Sequence, residues 1–350
     1  MVKLTHNDKL VLYGLARWPN LHDDELGGKI GVKRSTLTVI RNKLAKEGLY
    51  SKHYLPDLGR LGCELLVARY GDFNPLTPWS KREKYASKEY ELFYRISTDF
   101  GRVSLVAAEN FTEMKRYLET AASRHASHGF LTAEGVTHAY FPAALSRQFM
   151  FFDFAPLLNR HFELGFKEHV VLDTKFRKPL QPDLSETQRR ILYVMAQYPD
   201  LDDGEIAKKV SVTRQTVNSV KHDLLEQNLL KTVIFPDLGA IGLELIIFFH
   251  TQAKPAVPFE ARAEAYRRMV EDGSHYMIAA GNMEAITLSA FRNYTDFETT
   301  HERIFSFVTK LNYLAKDPTI KIYPTHEIRN HMLLRCGPLV KRILHISEEL

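Results

Sequence analysis

Pro56-Asp57-Leu58-Gly59 and Pro236-Asp237-Leu238-Gly239 are one word written twice, 180 residues apart. Outward from it, Leu4–Pro75 aligns with Leu184–Pro255 without a gap, and 22 of the 72 positions are identical, where ~4 are expected by chance. So dense a match means duplication rather than shared helical patterning. After a shift of two residues the likeness continues: Phe141-Pro142, Arg147, Met150 and Pro156-Leu157 meet Tyr323-Pro324, Arg329, Met332 and Pro338-Leu339. Each repeat is long enough to be one ordinary domain or a pair of small ones.

Composition narrows the class. With 45% hydrophobic and 25% charged residues in 350, the chain is globular rather than disordered. Met1–His6 has no apolar signal core, and the runs Ala240–Phe249 and Phe149–Leu158 are too short to span a bilayer. The expectation is a cytoplasmic protein with no membrane partner. Cys63 and Cys336 fall at unmatched positions of the repeats, so they read as buried thiols rather than a duplicated disulfide or metal site. The net charge of +5 sits in the first half, where residues 1–175 hold 25 Lys+Arg against 20 Asp+Glu, while 176–350 hold 22 of each.

The first third of each repeat predicts a winged helix-turn-helix. Val11, Leu12, Leu15 and Ala16, matched by Ile191, Leu192, Met195 and Ala196, recur at helical spacing and stop before Pro19 or Pro199. Asp23-Asp24-Glu25 and Asp202-Asp203-Gly204-Glu205 supply capping oxygens and negative charge for a short second helix. The third helix packs through Leu37, Ile40 and Leu44, or Val217, Val220 and Leu224. Its other face carries Lys33, Arg34, Ser35, Thr36, Thr38, Arg41 and Asn42 in one copy, and Thr213, Arg214, Gln215, Thr216, Asn218, Lys221 and His222 in the other. Side chains of these kinds reach phosphates and base edges, and the β-rich segments Tyr50–Leu55 and Leu230–Phe235 follow as wings.

The remainder of each repeat predicts β-α-β-β-α-β. In the first copy these are Glu64–Tyr70, Ser80–Tyr90, Leu92–Thr98, Val103–Ala108, Thr112–Ala126 and Val136–Phe141. The second gives Glu244–Phe249, Phe259–Glu271, His275–Ala280, Glu284–Phe291, Thr295–Leu314 and Thr319–Tyr323. Helical tails are expected over Leu145–Phe162 and Ile328–Ile346, with Phe149, Phe151, Phe152 and Phe154 as core. The expected fold is α+β: two tandem repeats, each a winged helix-turn-helix followed by a ferredoxin-like βαββαβ domain. The divisions are 1–55 and 184–235 for the helix-turn-helix units, 60–172 and 240–350 for the sheet domains with tails, and 173–183 for the linker.

With these elements in place, the chain resembles the Lrp/AsnC, or feast/famine, transcription regulators in a tandem duplicated form. The resemblance rests on the helix-turn-helix, the Gly48-Leu49 turn, the Leu-x-Gly elements Leu58–Gly62 and Leu238–Gly242, and the βαββαβ order. It implies double-stranded DNA as partner, read by the third helices; because Arg34 and Arg41 differ in setting from Arg214 and Lys221, an imperfect palindrome is expected as the operator. It also implies a homo-oligomer or internal pseudo-dimer, and a small-molecule effector at the middle-strand loop, where Asp99 and Gly101, and Gly281 and Glu284, stand. The basic residue falls one position later than in the family pattern, in Ile40-Arg41 and Val220-Lys221.

An alternative resemblance is to siroheme decarboxylases, which share this two-domain build. Thr137-His138-Ala139-Tyr140 is similar to a motif of theirs, and His125, His128 and His138 would then handle a tetrapyrrole. The aromatic-Tyr-Asn motif of that family is missing. Two surface-helix histidines and one strand histidine are the simpler reading. His326 and His331 are poorly spaced for a metal, and neither a phosphate loop nor a nucleophile elbow appears. The sequence therefore leads us to expect a DNA-binding regulator that is not an enzyme and has no cofactor and no metal.

Overall fold

A computed structural model describes residues 2–347 apart from 79, 83–88, 168–171, 173–174 and 176–178, and leaves out the side chains of 131, 133 and 134. The expected helix Ser80–Tyr90 falls largely, and the linker 173–183 partly, outside the described residues.

The fold is α+β and duplicated. The first repeat opens with α1 (His6–Arg17), α2 (Asp23–Ile30), α3 (Arg34–Lys46) and the wing β1 (Tyr50–Pro56). A short α4 (Leu58–Leu61) leads to β2 (Leu65–Phe73), β3 (Leu92–Ser97), β4 (Gly101–Ala108), α5 (Phe111–Ser127), β5 (Leu131–Pro142), β6 (Ser146–Phe151) and α6 (Ala155–Phe162). The second repeat has α7 (Glu186–Gln197), α8 (Asp203–Val210), α9 (Arg214–Glu226), β7 (Leu230–Pro236) and β8 (Leu245–Gln252). It continues with α10 (Ala263–Asp272), β9 (His275–Gly281), β10 (Glu284–Phe291), α11 (Tyr294–Lys310), β11 (Thr319–Pro324), β12 (Asn330–Met332) and α12 (Gly337–Ile343).

Local chemistry explains the helix boundaries. Thr5 and Ser185 close capping boxes on α1 and α7, and Asn110 and Asn293 cap α5 and α11. Asp202 caps α8 with its side chain. The matching residue of α2 is His22, which makes no side-chain cap, so Asp23 lies one residue inside the helix.

Each sheet shows the ferredoxin-like order and adds a fifth strand. In one, β5-β2-β4-β3 is extended by β12; in the other, β11-β8-β10-β9 is extended by β6. The extra strand in each case comes from the tail of the other repeat. The expected all-helical tails are corrected here: Ser146–Phe151 and Asn330–Met332 are strands, and only Ala155–Phe162 and Gly337–Ile343 are α-helical. An edge strand leaves a row of backbone N–H and C=O groups unpaired. Pairing of Asn330 with Ser97 and Met332 with Arg95, and of Arg147 with Ala280 and Phe151 with Met277, satisfies those rows.

The chain therefore divides into two compact units that are not the two repeats. One comprises Met1–Ser51, Leu145–Phe176 and Val233–Glu327; the other comprises Lys52–Ala144, Arg177–Thr232 and Ile328–Leu350. In the first unit α1 lies on α6, with Lys9 over the Phe162 ring and Tyr13 stacked on Phe166 at 4.5 Å. In the second, α7 lies on α12, with Lys341 over the Tyr193 ring.

The α7–α12 contact is close enough to exclude a side chain. A Cβ on Gly337 would sit 2.7 Å from the Gln197 Cα, a backbone atom that cannot swing aside. Gly337→Ala is expected to destabilise the second unit by about 1–3 kcal/mol. Thermal unfolding should show a lower midpoint for its transition, whereas Gly28→Ala, which meets nothing within 4 Å, should lower neither.

Candidate active site

The helix-facing side of the first repeat's sheet is apolar at one end and cationic at the other. Leu65 and Val67 pack with Leu92, Val106, Met114, Leu118 and Ala121. Two residues further along β2, with the same side-chain parity, stands Arg69 rather than a third apolar residue. Arg95 on β3 and Arg102 on β4 bracket Ser104, which pairs with both Arg69 and Arg95. Arg69, Arg82, Arg95 and Arg102 are 2%, 6%, 4% and 7% exposed. Burying one ion costs several kcal/mol after relaxation, so four at one end of a core require counter-charge or function.

Counter-charge comes from Glu89 and from Asp99, which lies 3.8 Å from Arg82. Glu89 is the acid among the residues lining the cavity, beside Arg82, Arg95, Arg102, His125, Ser97, Phe73 and Phe130. Tyr117 donates its hydroxyl to Glu89 at 2.7 Å and accepts from Arg69, which lies 3.9 Å from the same carboxylate. Arg124 approaches Glu89 at 3.6 Å. Arg102 faces the His125 ring, Nη1 to Nε2 at 3.2 Å and Nη2 to Nδ1 at 3.1 Å. A neutral imidazole has one acceptor nitrogen, so one of these contacts sets N–H against N–H. Among the described residues the Nε groups of Arg69 and Arg102 have no hydrogen-bond partner.

These surroundings dictate the protonation states. Burial, and then Arg69, lowers the pKa of Arg102 to about 9. Burial, and then Arg102, pushes His125 down to about 2. His138 lies opposite Arg69 in the β2–β5 ladder, and burial followed by Arg69 lowers it to about 4. Both imidazoles are neutral at neutral pH. Burial pushes the Tyr117 phenol well above its usual range.

The second repeat supplies an internal control. Ladder partners and helix caps place Phe249 where Arg69 stands, Ile278 for Arg95, Ala285 for Arg102, Val308 for His125 and Ile320 for His138. Arg82 alone keeps its type. Its counterpart Arg262 donates to the Asn282 carbonyl at 2.7 Å, as Arg82 donates to that of Asp99 at 2.9 Å. Arg82 is thus part of the shared scaffold, and Arg69, Arg95, Arg102, His125 and His138 are what the first repeat adds.

The residues named from the sequence are distributed differently. His125 lines this pocket, His138 is half-buried opposite Arg69 in the β2–β5 ladder, and His128 is exposed and bonded to the Arg124 carbonyl at 2.8 Å. Arg69, Arg95 and Arg102 were missed, although a charged residue at core parity in a strand is a readable signal. Of the DNA-contact set, Lys33, Arg34, Ser35, Thr36, Asn42, Thr213, Arg214, Gln215, Asn218 and His222 are exposed. The central cations are engaged. Arg41 pairs with Asp23, which also accepts from Thr38 at 2.6 Å, and Lys221 pairs with Asp203 at 3.1 Å. Thr213 spends its hydroxyl on capping the Thr216 N–H at 3.1 Å. Of the effector set, Asp99 accepts from Arg329 at 3.0 Å and Glu284 bonds His250 at 2.8 Å, while Gly101 and Gly281 lie at strand ends. Among the described residues no three His, Cys, Asp or Glu side chains cluster as metal ligands, and no helix is long and apolar enough to cross a membrane.

No family model and no curated protein matches the sequence. Among solved structures, the siroheme decarboxylase NirDL matches 98% of this chain and 100% of its own at TM-score 0.52 and 13% identity. The structure of NirDL with an iron-uroporphyrin III analogue matches 93% of each chain at 0.50 and 12% identity. An AsnC family transcriptional regulator from Agrobacterium tumefaciens covers 40% of this chain and 90% of its own at 0.33 and 12% identity. At these identities the full-length likeness is one of fold, and it agrees with a tandem helix-turn-helix and ferredoxin-like build. The expectation that the chain is not an enzyme is contradicted by the full-length match to NirDL, which is a siroheme decarboxylase.

The His125–Arg102 pair gives a direct check. Between about pH 2 and 6.5 the unfolded chain binds a proton at His125 that the folded chain does not, so this group makes stability fall as pH drops through that window. Arg102→Met should raise the folded pKa of His125 and narrow the window, read by NMR titration of the imidazole and by melting at pH 4 and 7.

Proposed function

We propose that this chain is a siroheme-decarboxylase-like enzyme acting on an acidic tetrapyrrole, with the cationic pocket of the first repeat as its substrate anchor. The observation that carries this reading is the set of buried arginines, Arg69, Arg95 and Arg102, which only one repeat possesses. An acid arm of the substrate in the cavity that Arg95 and Arg102 line would accept from the Arg102 Nε and separate Arg102 from His125. The cavity holds about 20 Å³, room for one carboxylate-sized group and not for a macrocycle.

Decarboxylation of a ring acetate breaks the bond between its methylene and carboxylate, releases CO2 and leaves the electron pair on the methylene carbon, which takes one proton to become a methyl. Tight pairing of the reacting carboxylate with guanidinium would stabilise the ground state and slow that loss. The arm in the pocket is accordingly one that is retained, holding the ring while another reacts. His125 and His138 are the groups suited to proton transfer: a bound carboxylate offsets the repulsion from Arg102 and Arg69 and raises their basicity.

Uroporphyrin titrated into the full chain should show a saturable visible absorption change, which its octamethyl ester should not. Arg102→Met should weaken uroporphyrin binding by roughly 30-fold or more, the cost of removing one partner from a buried charge pair. Equal binding of acid and ester, or an unaffected Arg102→Met variant, would remove the anchor assignment.

A second reading, DNA docking through α3 and α9, draws on the exposed Ser35, Thr36, Asn42, Gln215 and Asn218. The internal pairs of Arg41 and Lys221 compete with phosphate for those cations. Under this reading Asp23→Asn and Asp203→Asn should strengthen duplex binding and steepen its salt dependence; retardation gels that show no duplex binding by either variant would dismiss it.

A further inference from the structure

The pocket that is cationic in the first repeat has an apolar twin in the second, between the sheet β8–β10–β9 and helices α10 and α11. Its described lining residues include no Lys, Arg, Asp or Glu. Two histidines line it, and burial lowers both, His275 to about 4. Such surroundings exclude ions. The cavity measures about 50 Å³, several times the space one water needs.

Its floor is not wholly apolar. Among the described residues, Thr287, 5% exposed and on the cavity wall, has an Oγ1 with no hydrogen-bond partner, and His301 Nε2 on the same wall has none either. A buried hydroxyl left in that state costs about 1–3 kcal/mol. The neighbouring Thr251 hydroxyl, by contrast, bonds the Ala285 carbonyl at 3.4 Å. Around Thr287 the walls are aromatic: His301 stacks between Phe249 at 5.8 Å and Phe305 at 5.1 Å, with ring planes 12° and 18° apart.

We propose that this cavity binds a small uncharged phenol-class molecule, its hydroxyl leading inward to Thr287 and its ring against Phe249 and His301. An apolar cavity of ~150 Å³ accepts benzene, so the ring fills the space only with the half-buried rim of Ile304, Phe305 and Leu314 moving outward. Neutral hydrogen-bonding capacity at the floor and aromatic faces on the walls together define the class. The site is independent of the tetrapyrrole reading.

The test is calorimetric titration of the full chain with phenol and with toluene, which has the ring but no hydroxyl. Phenol should bind saturably and more tightly than toluene. Thr287→Val, nearly the same shape, should weaken phenol roughly three- to tenfold and leave toluene unchanged. Ala285→Phe should fill the cavity and abolish both, with circular dichroism confirming that each variant folds. Absence of saturable phenol binding, equal affinity for phenol and toluene, an unchanged phenol affinity in Thr287→Val, or binding that survives in folded Ala285→Phe would overturn the proposal. Should Ala285→Phe not fold, the Thr287→Val comparison decides alone.

Discussion

A ferredoxin-like sheet that stops at its second strand leaves a backbone edge bare, and the architecture of this chain turns on how that edge is closed. Strand β12 closes it at β3 and strand β6 closes it at β9. Each closing strand belongs to the tail of the opposite repeat, which fixes the membership of both compact units. The helix that follows each closing strand then seats a helix-turn-helix, α6 under α1 and α12 under α7. A hydrogen-bonding requirement local to two strands thereby decides which parts of a 350-residue chain fold together.

Within this frame, duplication preserved the scaffold and released the chemistry. Arg82 and Arg262 hold the loop between the middle strands in both repeats, and Asn110 and Asn293 start both second helices. Three strand positions on the helix-facing side diverged, to Arg69, Arg95 and Arg102 in one repeat and Phe249, Ile278 and Ala285 in the other. One copy accepts the desolvation cost of buried guanidiniums; the other keeps an aromatic cavity with a stranded threonine hydroxyl. That contrast separates the residues both repeats keep from those in which they differ.

Much of the scaffold was legible in the sequence. Period-3.6 runs ending at Pro19 and Pro199 placed the first helices, and the expected strand Glu284–Phe291 has the observed bounds of β10. The tails were misread. Phe149, Phe151, Phe152 and Phe154 suggest a buried helix by density alone, while Ser146–Phe151 is a strand because a bare edge is there to receive it; Asn330–Met332 is too short to carry any period. For the site, His125 and His138 were visible as residue types, but their meaning depended on Arg69, Arg95 and Arg102, which come from three strands. Inward parity with Leu65 and Val67 was the signal that marked Arg69. The pairing of Arg41 with Asp23 and of Lys221 with Asp203 could not be read from spacing, since it depends on the crossing of two helices.

The interleaving of the repeats bears on how the chain matures on the ribosome. The sheet of residues 65–142 is synthesised early, yet the strand that completes it lies at 330–332. For the intervening synthesis that sheet presents an unfinished border, and the helix-turn-helix made first must wait for residues 233–327 to complete its own unit. Neither repeat can be finished and set aside before the next begins. Separating the halves into two genes would convert an intramolecular closure into a bimolecular one that depends on protein concentration.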